Sequence, residues 1–260
     1  FFIGENKHSY EIGNQLLEYG KMNFNIRCQV AGHICLGHSY FSEGNMSKAI
    51  LCYRQAVEVA EDPFYSQWPR LFLGICCVLN KQMKEGEEAL KEVASYAHKF
   101  GCDIFSPVVK PILGIVLIQK GKMSKGLKII EETSELSKEK NFIYGVVLSE
   151  FLLGNVYYEI AYGEKPTLSI IRKNAGFLAK NIPFAAKKAE SYFNKAIENS
   201  ERSGIKGFQG MAYLGLGALH KAKKRSDLAK KCLSKAIKIF ERCGAKMYLE
   251  QAKELVASLR

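Results

Sequence analysis

Residues 33–63 read HICLGHSYFSEGNMSKAILCYRQAVEVAEDP, and the order of small and large residues within them decides the fold. Leu36-Gly37 is followed, twelve residues after the glycine, by Ala49, and then by Tyr53 and Ala56. Offsets of three, four and seven put Ala49, Tyr53 and Ala56 on one helical face, a period that no strand shares. A small residue where two helices cross lets their backbones approach, and a large one beside it fills the remaining space. The polar SEGNMS between the two runs is a turn. The stretch therefore predicts a helical hairpin.

The pattern recurs along the chain, which has 260 residues. Further Leu-Gly pairs stand at Leu73-Gly74, Leu113-Gly114, Leu153-Gly154 and Leu216-Gly217. The small-large-small trio returns as Gly86, Leu90 and Val93, as Gly126, Ile130 and Thr133, and as Ala229, Leu233 and Ala236. In the fourth unit it is Ala189, Phe193 and Ala196, displaced by 23 residues, which marks an insertion. That insertion, 162–184, is bounded by Pro166 and Pro183. Leu168, Ile171, Ala175 and Leu178 within it share a face, so one short extra helix is expected, with Pro166 near its start.

A period of this length means stacked supersecondary units. The spacing resembles the tetratricopeptide repeat, whose pattern is W-x2-L-G-x2-Y followed by A-x3-F, with His33 in the Trp slot and Tyr53 in the Phe slot. The resemblance implies an all-α solenoid of helical hairpins over 30–62, 67–100, 107–140, 147–202 and 208–243. Residues 1–28 are expected to form the second helix of a truncated repeat, so that the chain is a piece of a longer one. Residues 245–260 read as an amphipathic capping helix of the kind solenoids need. The strings at 170–198 and 207–259 are moreover similar to the C-terminal repeat region of bacterial multidomain regulators that carry a nucleotide cyclase and an ATPase module. That likeness implies a regulatory or sensory arm and no cyclase chemistry in these residues.

Composition and the absence of a membrane-spanning run read as a soluble, cytoplasmic protein. Nothing approaches the run of about 18 apolar residues that spans a bilayer. The eight cysteines have no C-x2-C spacing and are expected to be reduced. Net charge is +12, and residues 165–246 carry 19 Lys or Arg against 5 acids. No phosphate-binding GxxxxGK[ST] occurs, and Gly215-x-Gly217 lies within a helix rather than after a strand. His33, Cys35 and His38, at offsets of two, three and five, do not all lie on one helical face, as shared metal ligation on a helix requires. No catalytic residue, cofactor or metal is expected.

By resemblance, the first helices of the hairpins line a concave groove that takes a protein or peptide, or another domain of the same chain. The candidate lining is Ile34, His38 and Phe41, then Leu71, Ile75 and Val78, then Phe151, Asn155 and Tyr158, then Lys221. The carboxylate clamp of some tetratricopeptide proteins is not expected, since only Lys110, Asn155 and Lys221 are of suitable type. A second possibility is an anionic surface or nucleic acid, bound through Lys223, Lys224, Arg225, Lys230 and Lys231. These residues otherwise read as a solvated turn and convex face, with Ser226 as the N-cap of the helix that follows.

Overall fold

The computed structural model describes residues 6–164 and 167–259, so Pro166 and the first five residues lie outside the described ones. Among the described residues there are thirteen α-helices and no strand. Helices α1 (Asn6–Met22), α2 (Ile26–Ser42), α3 (Met46–Val59), α4 (Gln67–Leu79) and α5 (Met83–Phe100) precede α6 (Ser106–Gln119) and α7 (Met123–Glu139). Then come α8 (Ile143–Tyr162), the short α9 (Leu168–Lys173), the long α10 (Ala175–Ser203), α11 (Lys206–Ala222), α12 (Ser226–Cys243) and α13 (Lys246–Ala257). The all-helical hairpin architecture expected from the repeat is present, with its helical insertion and its terminal helix. Packing divides the chain into two compact units, one built on residues up to Val109, the other on Lys110–Arg242 together with the residues from Tyr248 onward.

One turn design joins most of the helices. Phe24, Gly44, Lys81, Gly121, Asn141, Gly204 and Lys224 all have positive φ, between 51° and 83°, and each stands two residues before the next helix. The backbone N–H of the residue that follows each of them donates to the carbonyl five residues earlier, in the preceding helix, as in Asn45 N to Tyr40 O at 2.9 Å and Arg225 N to His220 O at 2.9 Å. This is the Schellman closure, and it leaves the residue after the left-handed one as N-cap of the following helix. Asn25 and Asn45 fill that role with their side chains, accepting from Cys28 N at 3.1 Å and Lys48 N at 3.2 Å. It also corrects the reading of Ser226. Ala229 N donates to Arg225 O, so Arg225 is the cap and Ser226 is the first helical residue.

In the first unit, Gly37 of α2 meets the ring of Tyr53 of α3. A Cβ on that glycine would lie 2.6 Å from the Tyr53 ring. Gly74 of α4 meets Leu90 of α5 in the same way, and Gly86 of α5 closes on Val78 of α4. Tyr53 is also held at its hydroxyl, which pairs with His38 Nδ1, while the His38 ring stands edge-on to Phe72 of α4 at 4.5 Å. Burial lowers the His38 pKa to about 3, so the ring is neutral; its polar bond closes the α2–α3 hairpin and its ring packs on the next hairpin through Phe72. Arg54 to Glu85, at 2.6 Å, ties α3 to α5.

The second unit repeats the interlock. Gly114 meets Ile130, Gly217 meets Leu233, and Phe193 is gripped from two sides by Gly154 of α8 and Gly215 of α11. The insertion departs from the single short helix expected between two prolines. α9 has only six residues, and α10 runs unbroken through Pro183. An interior proline forfeits one backbone bond, yet the buried Leu178, Asn181 and Ala185 on either side of it keep α10 seated. The break falls instead at Asn174, a buried residue whose Nδ2 donates to Gly121 O at 2.8 Å and whose Oδ1 accepts from Met123 N at 3.3 Å. The insertion is thereby pinned to the turn between α6 and α7. Ile170 stands beside the same turn, where a Cβ added to Gly121 would lie 3.5 Å from it.

Glu150 of α8 is a fully buried carboxylate, only 1% exposed. Asn199 of α10 donates to it at 2.8 Å, and Lys138 of α7 stands 3.9 Å away. Burial pushes its pKa up, and the Asn199 amide and Lys138 pull it partly back. The folded protein therefore holds this proton to higher pH than the unfolded chain. The stability it contributes is full below the ordinary carboxylate range and is lost as pH rises through the folded value.

Three measurements follow from these contacts. Urea unfolding of Gly154→Ala should show a loss of about 1–3 kcal/mol, because the added methyl has to displace the enclosed Phe193 ring. Lys224→Gly should gain up to about 1 kcal/mol by removing a side chain from a left-handed position. Glu150→Gln should gain stability relative to the parent as the pH of unfolding is raised from below the ordinary carboxylate range to above it, the direction set by the raised carboxyl. A pH-independent difference would remove the buried charge from the account.

Candidate binding cleft

Three helices of the second unit each offer one stripe to a common cleft. α8 contributes Phe151, Asn155, Tyr158 and Glu159, and α11 contributes Met211, Leu214, Gly215 and Ala218. α13 and the residue after it contribute Tyr248, Gln251, Glu254, Leu255 and Ser258. The spacing in each set is three, four and seven, so every stripe is one helical face. The volume of the open cleft is about 530 Å³, and its walls are mainly apolar.

Neighbouring contacts hold the stripes in place. The Phe208 ring at the start of α11 meets Tyr144 at 5.5 Å and Phe151 at 5.8 Å, which fixes α8 against α11 at one end. Behind the cleft, Gly215 closes on Phe193. Tyr248 stacks on Phe240 of α12 at 5.5 Å and orients α13. At the far end Lys221 Nζ donates to Ser258 Oγ, which joins α11 to the residue following α13.

Of the ten groove residues expected from sequence, the structure brings Phe151, Asn155 and Tyr158 together on this wall and puts Lys221 at its edge through Ser258. The six from the first unit belong elsewhere. Phe41, Leu71 and Val78 are core residues, at 5%, 3% and 4% exposure. Val78 packs on Gly86, and His38 is engaged with Tyr53 and Phe72. Ile34 and Ile75 are half-buried. These positions follow from the Leu-Gly face of α2 and α4, and that face closes each hairpin, which takes its large residues out of solvent. Lys110 is exposed on α6 and has no part in the cleft.

Met211, Leu214 and Ala218, and the whole of the α13 wall, were not foreseen. The signal was present in α11 as a second small-and-apolar stripe one position away from Leu216 and Leu219. In α13 it was present as polar residues, Gln251 and Glu254, beside the apolar face that reads as a cap.

The side chains of Asn155, Glu159, Gln251 and Glu254 have no hydrogen-bond or ion-pair partner among the described residues. Two primary amides thus offer both donors and acceptors to whatever occupies the cleft. The Glu159 carboxyl is pushed up by burial and by the charge of Glu164. Among the described residues no group of three or more His, Cys, Asp or Glu side chains is placed to hold a metal ion. The eight cysteines are free thiols; burial raises Cys76, and burial together with Glu85 raises Cys77 to about 12. Neither is a nucleophile at neutral pH.

The basic cluster is less solvated than its sequence suggests. Lys223 Nζ lies 2.6 Å from Glu190 Oε2, with its side chain 19% exposed, and Arg225 is 3.8 Å from the other oxygen of the same carboxylate. The hydrogen bond from Lys223 holds the Glu190 carboxyl below the ordinary range. Lys224, Lys230 and Lys231 are exposed. Glu190 therefore joins α10 to the turn before α12. A double-mutant cycle of Lys223→Met and Glu190→Gln should return a coupling of about 0.5–1 kcal/mol at neutral pH, fading below the carboxylate range. Additive single effects would leave the pair without energetic weight.

A tetratricopeptide-repeat family model matches residues 36–63 and 212–243. No curated protein matches the chain. Among solved structures, BtubC from P. vanneervenii is 17% identical, covers 92% of this chain and 90% of its own, and gives a TM-score of 0.53. The apo form of RapI is 17% identical, covers 89% and 77%, and gives 0.56. At this identity the likeness speaks for fold alone. Residues 36–63, within the stretch that decides the hairpin, and residues 212–243, which include most of α11 and all of α12, are thus similar to tetratricopeptide repeats and lie in a chain that is all-helical among the described residues.

Proposed function

We propose that the chain is a non-enzymatic protein-interaction module that holds an extended or helical segment of a partner in the cleft formed by α8, α11 and α13. The observation that carries this reading is the cleft itself: apolar walls of Phe151, Tyr158, Met211, Leu214 and Leu255 with the unpartnered amides of Asn155 and Gln251 between them. Apolar pockets reward side chains of a peptide, and free amides satisfy its backbone. The repeats support the reading, because stacked helical hairpins are binding surfaces in many settings. The similarity of the 170–198 and 207–259 strings to the repeat regions of bacterial cyclase and ATPase regulators supports a finer role, a regulatory or scaffolding arm that works in the cytoplasm.

The exposed Lys224, Lys230 and Lys231 support a second reading, contact with an anionic surface such as nucleic acid. Retention on duplex DNA that falls steeply with salt and is lost on changing these three lysines would favour it over the cleft.

The cleft is tested by filling it. Peptides selected from a random dodecapeptide library on the purified chain should shift the methyl resonance of Met211 and leave that of Met22, which is 80% exposed outside the cleft, unchanged. Ala218→Trp should abolish this binding, and Gln251→Trp, at an exposed position less able to disturb folding, should weaken it. Selected peptides that bind both variants as they bind the parent would overturn the assignment.

A further inference from the structure

Resting on the cleft as a peptide site, we infer that its ligand is cationic: a segment presenting a Lys or Arg side chain next to an apolar residue, with the cation recognised by Glu159 and Glu254. The charges on the cleft lining are these two carboxylates. Neither is paired with a cation among the described residues, although this chain carries 38 Lys and Arg, and many of its other acids are so paired, as Glu85, Glu92, Glu132 and Glu190 are. Lys221, the cation at the cleft's edge, directs its ammonium to Ser258 and to neither carboxylate.

The aromatic lining agrees with the charge. Phe151, Tyr158 and Tyr248 line the cleft, and aromatic rings attract ammonium and guanidinium groups. The protein uses the same contact internally, with Lys188 over Tyr157 at 4.7 Å and Lys235 over Tyr213 at 4.9 Å. An anionic terminus would meet the opposite arrangement. It would be repelled by two carboxylates and would have to take Lys221 from Ser258.

Local and overall charge point in opposite directions, which makes the inference sharp. A protein of net charge +12 draws acidic peptides by its long-range field. Enrichment of cations therefore has to come from the cleft, within a Debye length of about 8 Å at physiological salt.

The test is selection of a random dodecapeptide phage library on the full chain at physiological salt, followed by affinity measurement with synthetic peptides of the enriched sequence. The expected result is enrichment of Lys or Arg beside apolar residues, and a loss of about tenfold in affinity in the Glu159→Gln, Glu254→Gln double variant. Binding to Lys84→Met, which removes an exposed cation of α5 outside the cleft, should be unchanged, and the melting temperatures of this variant and of the Glu159→Gln, Glu254→Gln double variant should match the parent. Enrichment of Asp, Glu or free C-termini, with binding displaced by Ala218→Trp, would overturn the cationic assignment and leave the cleft standing as a peptide site. Enriched peptides that Ala218→Trp and Gln251→Trp both still bind would overturn the cleft, and this inference with it. The same follows if no sequence is enriched.

Discussion

A glycine in one helix facing a large side chain in the next is the contact on which each hairpin depends. Gly37 with Tyr53, Gly74 with Leu90, Gly114 with Ile130, Gly154 with Phe193 and Gly217 with Leu233 are five instances of one arrangement. In each, a Cβ would fall at 2.6 or 2.7 Å from the opposing side chain, so the helices can approach this closely only where the first carries no side chain. The opposing residue, exposed by at most 1% in all five hairpins, then fills the crossing without a void. The turns serve the same geometry. A left-handed residue followed at once by the next N-cap reverses the chain in very few residues, which sets each Gly opposite its partner sixteen positions later in the four regular hairpins.

The insertion shows how much deviation this interlock tolerates. Thirty-nine positions separate Gly154 from Phe193, yet the contact forms as in the shorter hairpins. The additional chain is absorbed by lengthening α10 to 29 residues and by anchoring α9 through Asn174 to the turn at Gly121. Phe193 then takes a second glycine, Gly215 of α11, against its other side. This double grip brings α11 close behind α8 and creates the floor of the cleft, so a packing device and the candidate binding surface share one residue.

The hairpins were legible because their signal is local. Leu36-Gly37, Ala49, Tyr53 and Ala56 lie within a few turns of one another, and a helix fixes which of them share a face. The cleft was legible only in part. Phe151, Asn155 and Tyr158 could be named from their offset to Leu153-Gly154. Phe41, Leu71 and Val78 could be named by the same rule and are buried instead, because a helix face that closes a hairpin and one that faces a groove differ by a single residue step, about 100°. The Lys223–Glu190 pair was hidden for another reason: its members are 33 residues apart, and no periodicity links them.

The sequence by itself determined the helical hairpin, its repetition, the place of the insertion and the excess of positive charge toward the C-terminal half. These depend on residue size, on helical period and on composition, all of which can be read along the chain. Tertiary structure alone decided that α10 passes through Pro183, that Asn174 rather than a proline breaks the insertion, and that α13 is a wall as well as a cap. It also decided which cations are neutralised and which carboxylates are left facing a cleft. Those outcomes turn on distances between side chains far apart in sequence, where burial and pairing are settled by how the helices pack rather than by what any one helix prefers.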